Sequence, residues 1–356
     1  MGTSFYLAGR LHEFDREADM SEKTEMDLPE KKVTIRDIAD AAGVSIGTVS
    51  RALKNQAGLS EQTRTVILRV AKKLGYDISK LRSGKPGRLI FVLNRNIGSL
   101  ASNPFYSIVL QGVENACREE QVSLSLLSIG IGDPILARIR QHEPEAILVA
   151  GFFDAALLAK ISSLKLPTVI ADHFVPDCFC VNDDNLQGAW LATRHLIEQG
   201  YQRIAMISGP MTHHSVALRS RGYRKALFEA GRLADPNLEV TLDANLPYAE
   251  SAVAAMNRLL ALPQRPDAVF AYNDETALNA MQACRDAGLS IPEDIAFVGY
   301  DDIASASTSR PSLTTIRVDK EALGYQAAKH LIAGEVSPGE ELLPVELLVR
   351  QSSQRG

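Results

Sequence analysis

Apolar residues recur at helical spacing between Thr34 and Tyr76, and from Leu89 onward they regroup into short β-rich runs divided by longer helical stretches. In the first region Ile35, Ile38, Ala39 and Ala42 share one face of a helix. Thr34 can cap that helix, with Asp37 placed to return a hydrogen bond to the cap's own amide. Gly43 supplies a turn, and Ser45 offers an oxygen to the first free amides of a second helix running from Ile46 to about Leu53. That helix buries Val49, Ala52 and Leu53 and leaves Ile46, Gly47, Ser50 and Arg51 on its other side. Ser60 caps a third helix, which buries Val66, Ile67, Val70 and Leu74 and stops at Gly75.

The later pattern predicts strands at Leu89 to Leu93, Ser123 to Ser128, Ala146 to Ala150, Thr168 to Ala171, Arg203 to Ser208, Val240 to Leu242, Ala268 to Tyr272 and Ile295 to Gly299. Helical runs fall between most of them, among them Phe105 to Glu120, Leu186 to Gln199, Ala217 to Ala230, Tyr248 to Leu262 and Glu275 to Ala287. Such alternation gives parallel sheets covered on both faces by helices. Eight strands exceed one small sheet and the unit repeats after about Asn185, so two similar α/β lobes with a cleft between them are expected. Open α/β sheets bind ligands beyond the carboxyl ends of their strands. At those ends stand Asn103, Phe105 and Tyr106, then Asp172 and His173, then Asn273 and Asp274, and finally Tyr300, Asp301 and Asp302. Planar amides and carboxylates that bond adjacent hydroxyls, with rings covering C–H faces, suit a small polyhydroxylated ligand. The competing reading is that acids such as Asp274 and Asp301 only cap the helices that follow.

Charge separates the two regions. Lys31 to Arg88 holds thirteen Lys and Arg against four Asp and Glu, a net +9, whereas the whole chain carries −5 and the remainder therefore −14. A basic three-helix module on an acidic body fits release of counterions from DNA phosphates. With the turn glycine and the cap, it points to a helix-turn-helix DNA reader whose second helix enters a major groove. A chain of 356 residues is expected to hold two or three domains. No apolar run approaches the ~20 residues that cross a bilayer. The first thirty residues carry three basic and eight acidic side chains, which fits neither a secretory nor a mitochondrial signal, so a cytoplasmic protein with a disordered extension over 1–31 is expected. Cys117, Cys178, Cys180 and Cys284 are expected to be reduced thiols, and the Cys178-x-Cys180 pair lacks further ligands at zinc spacing, so neither metal nor cofactor is predicted. No G-x-S-x-G, H-E-x-x-H, P-loop or G-x-G-x-x-G signature occurs in the context it requires, and no catalytic residue is assigned.

Several segments, in order, resemble the lactose-repressor (LacI/GalR) family of bacterial transcription regulators. They are VTIRDIADAAGVSIGTVSRAL, LGY, NPFY, Arg219-x-x-Gly222-Tyr223, FAYNDETALNAM, IPEDIAFVGYDD and PSLTTIRVD, and the likeness covers Val33 to about Ser352. The resemblance implies an N-terminal all-α helix-turn-helix domain (32–76) and a linker (77–88). It further implies a periplasmic-binding-protein-like body (89–356) of two doubly wound parallel sheets, lobe 1 about 89–185 and 317–333, lobe 2 about 186–314 and 335–352. It implies a homodimeric repressor on a palindromic double-stranded operator, released or recruited by a small effector such as a sugar or sugar phosphate. Carried over by position, Ile46, Gly47 and Arg51 are base-reading residues, Thr48 and Ser50 contact phosphates, and the caps Thr34 and Ser45 complete the DNA-contacting set. Arg51 can bond guanine O6 and N7 together. Effector contacts fall on Phe105, Tyr106, Asp184, His213, Ser215, Arg219, Asn273 and Asp301, joined by Asp172, His173 and Phe174 from their place at a strand end.

One stretch departs from the family pattern. Members usually carry an Ala-Arg-Ser-Leu-like hinge helix after LGY, whose leucine enters the minor groove. Here the linker reads DISKLRSGKPGR, and Gly84, Pro86 and Gly87 forbid helix beyond about Ser83. Leu81 is the candidate wedge. Two rival readings are a sugar-binding receptor module, which the body alone would support, and an enzyme, which the missing signatures disfavour.

Overall fold

A computed structural model of the chain describes residues 33–53, 59–76, 85–94, 104–130 and 132–354. The predicted tail 1–31, the first eight linker residues with Leu81, and Asn103 lie outside the described residues. The chain divides into two compact units at Gly84/Lys85.

The first unit holds α1 (Ile35–Ala42), α2 (Ile46–Leu53) and α3 (Glu61–Lys73). The Thr34–Asp37 capping box closes α1, and Gly43 leaves it in the left-handed conformation (φ 65°), where a side chain would be strained. Ile38, Ala39, Val49, Ala52, Leu53, Ile67 and Ala71 form the core. One expectation fails in detail. On α3 Ile67 and Ala71, one helical turn apart, are fully buried, and Leu68 and Val70 pack against the same core half-buried. Val66 (48% exposed) and Leu74 (37%) lie on the outside, because a 13-residue helix against two short ones buries a narrow stripe.

The second unit has two six-stranded sheets. The first contains β1 (Arg88–Asn94), β2 (Ser123–Ile129), β3 (Ala146–Ala150), β4 (Thr168–Ala171) and β5 (Phe179–Asp183). These lie in the order β5-β4-β3-β1-β2, with β11 (Gly339–Leu343) added beside β5, and every pairing is parallel. Leu89, Phe91 and Leu93 face one side, in one core with residues of α4 (Pro104–Glu119) and α12 (Lys320–Ala333). Ile90 and Val92 face the other, with residues of α5 (Ile135–Gln141) and α6 (Ala155–Ser162). This is the period-2 alternation of a sheet buried on both faces. The second sheet contains β6 (Ile204–Ser208), β7 (Glu239–Thr241), β8 (Ala268–Ala271), β9 (Ala296–Asp301), β10 (Thr314–Arg317) and β12 (Glu346–Leu348) in the order β12-β10-β9-β8-β6-β7. On one side lie α7 (Asn185–Glu198) and α8 (His214–Glu229), and on the other α9 (Tyr248–Leu260) and α10 (Asp274–Asp286), with a short α11 (Ala304–Thr308) after β9. Gly222 lets α7 and α8 approach closely, since a Cβ there would strike the Leu186 carbonyl.

Two expectations need correction. Twelve strands occur among the described residues where the pattern predicts eight, and β12 pairs antiparallel with β10, so the second sheet is mixed. The segment 335–352 does not belong to lobe 2 as a whole, because β11 extends the first sheet. The chain therefore crosses between lobes three times, at β5 to α7, β10 to α12 and β11 to β12. Asp184 and Asp319 accept from the amides of Gln187 and Ala322 and so start a helix at the first two crossings.

Candidate nucleic-acid interface and interlobe site

In the first unit, Ser45 accepts from the Thr48 amide at 3.1 Å, and the two hydroxyls lie 2.8 Å apart, fixing the start of α2. Val49, Ala52 and Leu53 anchor that helix in the core, so its opposite face is presented outward. Ser45, Ile46 (46% exposed), Gly47 and Arg51 are exposed, and Thr48 and Ser50 are half-buried. Arg51 Nε donates to the Gly47 carbonyl at 3.3 Å, which lays the side chain along its own helix. Thr34 is exposed as the α1 cap.

The second unit gathers its polar residues at the carboxyl ends of both sheets. Arg219, on α8 and only 5% exposed, donates from Nε to Asn185 Oδ1 (2.7 Å) and from Nη1 to the Tyr272 carbonyl (2.6 Å). Its Nη2 lies 3.7 Å from Asp301 and 3.9 Å from Asp183, and its guanidinium sits 3.6 Å over the Tyr300 ring. Tyr300 donates its hydroxyl to Asp183 Oδ2 at 2.8 Å, which ties β9 of one lobe to β5 of the other. On the lobe 1 side, Tyr106 donates to Asp172 Oδ2 at 2.6 Å. Asp172, Asp301 and Asp302 all have positive φ (56°, 105° and 53°), a region that costs a non-glycine residue energy and that clusters at binding sites.

Electrostatics follows from burial. The Asp172 carboxyl is pushed up to about 7, by burial first and then by the charge of Asp183, against the pull of Tyr106 and Arg219. Burial lifts Asp301 to about 6, opposed by Arg219 and Lys320. Burial works against the charge of Arg219, but Asp301, Tyr300, Asp183 and Asp172 hold its guanidinium well above its ordinary value. A carboxyl raised in the folded state is most favourable when protonated, so its contribution is complete below the ordinary 3.8 and is lost as pH rises to about 7. Asp172→Asn, permanently neutral and still able to accept from Tyr106, is expected to gain ~1–2 kcal/mol on the parent between pH 5 and pH 8. Urea unfolding at the two pH values measures this, and an unchanged difference would contradict the burial of that carboxylate.

A second cluster bridges the lobes through rings. His213 stacks on Phe152 (4.4 Å, 18°), His173 meets the edge of Phe152 (5.2 Å), and His214 stacks on Phe174 (5.0 Å, 25°). Burial, then the charges of His214 and His213, lower His173 to about 4, so the ring is neutral at physiological pH.

The predicted site residues thus divide. Tyr106, Asp172, Arg219 and Asp301 converge, and His173 and His213 lie in the ring cluster. Phe105 is buried edge-on to Tyr106. Ser215 is half-buried in the first turn of α8. Asn273 spends its Oδ1 on the Thr276 amide and on the Tyr248 hydroxyl, and Asp184 spends an oxygen on Gln187, so each of these also starts a helix. Asp274 neither caps a helix nor lines the cleft. Fully buried and pushed up to about 8 by burial and by Asp301, it binds the Thr315 hydroxyl and the Ile303 amide. The sequence pattern does not single out Asp183, Asn185, Phe152 or Lys320. Asp183 and Asn185 flank the unrecognised end of β5, and the Asp183-Asp184-Asn185 triplet there is the only local signal for them. All four cysteines are free, no metal-binding group occurs among the described residues, and no helix there is long and apolar enough to cross a membrane.

Comparison with known proteins agrees with this geometry. Residues 34–78 match the family described as bacterial regulatory proteins, lacI family, and residues 193–353 match a periplasmic binding protein-like domain. The ribose operon repressor of Escherichia coli (strain K12) is 36% identical over 316 residues, 84% of this chain and 92% of that protein. The transcriptional repressor CytR of the same strain is 32% identical over 347 residues, covering 91% and 97%. Among solved structures, the transcriptional regulator CelR in complex with cellobiose superposes with a TM-score of 0.70 at 31% identity, covering 90% of this chain and 99% of that one. The lac repressor dimer bound to operator and the anti-inducer ONPF gives 0.66 at 26% identity, covering 91% and 100%. A capped recognition helix in one unit and a polar interlobe site in the other are the parts of a ligand-controlled repressor, and this chain belongs to the lacI family of bacterial transcription regulators, a DNA-binding repressor governed by a small-molecule effector.

Proposed function

We propose that this repressor acts as a homodimer on a palindromic operator, with residues 32–76 as the reading head, 77–88 as the linker and the body as effector sensor and dimerisation unit. A carbohydrate is the proposed effector, and the observation that carries this is the convergence of Tyr106, Asp172, Arg219 and Asp301 between the lobes. Relatives named for the ribose operon and a structural neighbour holding cellobiose support the same ligand class. In the head, Ile46, Gly47 and Arg51 take the base-facing roles, and Thr48, Ser50, Thr34 and Ser45 take the backbone-facing ones. Gly47 leaves room where a longer side chain would read a base, so Arg51 carries most of the discrimination. Leu81 is assigned the minor-groove wedge.

Selection of duplexes from random DNA by the full-length protein is expected to return a two-fold symmetric motif. Arg51→Ala is expected to bind it ~10–100-fold more weakly and to accept other bases at one position in each half-site. Recovery of an unsymmetrical motif, or undiminished binding by Arg51→Ala, contradicts the proposed docking.

A further inference from the structure

The charge balance of the interlobe site narrows the class of effector, on the carbohydrate reading given above. Asp172, Asp183 and Asp301 all act on Arg219, whose Nε and Nη1 already donate to Asn185 and to the Tyr272 carbonyl and whose Nη2 already faces two carboxylates. The guanidinium is balanced before a ligand arrives. Lys320, the second cation, bonds the backbone carbonyls of Asp301, Asp302 and Val318. On the acceptor side, Asp183 is 1% exposed, and while its Oδ2 takes the Tyr300 hydroxyl, its Oδ1 has no hydrogen-bond partner among the described residues. A buried carboxylate oxygen left in that state is unfavourable until a donor reaches it.

We infer that the site accepts an uncharged sugar, whose hydroxyls donate to these aspartate oxygens, and rejects the phosphate ester of the same sugar. A phosphate monoester brings a charge of about −1.5 to −2 and acceptor oxygens only. It would stand beside three carboxylates, near an arginine that is already paired. An amino sugar gains little from the acids, since Arg219 and Lys320 offset two of the three. At pH 7.5, above the values of about 7 for Asp172 and about 6 for Asp301, both carboxyls are largely ionised and serve as acceptors for hydroxyls.

Full-length protein titrated by calorimetry at pH 7.5 tests this. The matched pairs are D-ribose with D-ribose 5-phosphate, D-glucose with D-glucose 6-phosphate and D-fructose with D-fructose 6-phosphate, and cellobiose, D-glucosamine and inorganic phosphate are run alone. At least one neutral sugar is expected to bind, its phosphate ester ~100-fold or more weakly, because a like-charge contact at ~4 Å in a largely buried site costs a few kcal/mol. In Asp172→Asn the gap between sugar and ester is expected to narrow ~10-fold, the effect of removing one neighbouring charge, whereas simple structural damage would weaken both and leave the ratio unchanged. An ester that binds as tightly as its sugar, glucosamine that binds more tightly than glucose, or binding of inorganic phosphate alone overturns the inference while leaving the carbohydrate reading in place. If no member of any pair binds and cellobiose does not either, that reading fails and the inference falls with it.

Discussion

Arg219→Ala is expected to abolish the response to effector and to destabilise the body by ~3–5 kcal/mol, the cost of leaving buried carboxylates without their cation. Nearly everything that meets in the interlobe site meets at this side chain: the Asn185 oxygen, the Tyr272 carbonyl, the Tyr300 ring, and the Asp183 and Asp301 carboxylates. Without the guanidinium, Asp301 and Asp172 rise further toward their neutral forms, so the loss is expected to be smaller at pH 5.5 than at pH 8. Arg219→Lys keeps the charge but not the fork, and it is expected to restore most of the stability and little of the response. Thermal unfolding at both pH values, with operator release measured beside it, checks both halves. A variant of parental stability that still answers the effector would show that the arginine neither balances the acids nor organises the site.

In the head, Ile67→Ala is expected to remove DNA binding altogether. Ile67 is fully buried in a core of seven buried residues, and truncation of such a side chain costs ~2–5 kcal/mol. A domain of this size buries too small a fraction of its surface to hold much reserve, so that loss is of the order of its whole stability. The body has its own cores and is expected to keep both its unfolding transition and its sugar-induced shift. Circular dichroism with a gel shift and a thermal shift separates the two units. Retained operator binding by Ile67→Ala would mean that the head does not depend on this small core.

What was legible in the sequence was local. The Thr34–Asp37 box, the Gly43 turn and the Ser45 and Ser60 caps are each written within four residues, and each forms as spaced. β3, a uniform apolar run, and β4, a β-branched run closed by Ala171, begin and end where the pattern places them. The strands that escaped notice carry weaker runs. β5 reads FCVND and passes straight into a helix cap, and β11 reads GEELL, an edge strand whose Glu340 and Glu341 break the apolar pattern. The same weak pattern gives no sign that 335–352 is shared between the two sheets. In the site, Arg219 and Asp301 could be named from their motif positions, but their partners could not. Asp183 lies 36 residues from Arg219 and 117 from Tyr300, and only the crossing of the chain between lobes brings them together. The same limit explains Asp274, which by position reads as a cap or a ligand but is spent on Thr315 and Ile303 across the sheet.

Occupancy of the interlobe site is expected to change the grip on DNA. Fluorescence anisotropy of a labelled duplex carrying the selected motif tests it most directly, titrated with the full-length protein at fixed salt in the absence and presence of a sugar at a concentration that saturates its calorimetric binding. A shift of ~5–150-fold in the midpoint, in either direction, is the expected result, corresponding to ~1–3 kcal/mol of coupling. Superimposable curves with the sugar demonstrably bound would mean that the interlobe site does not control the head.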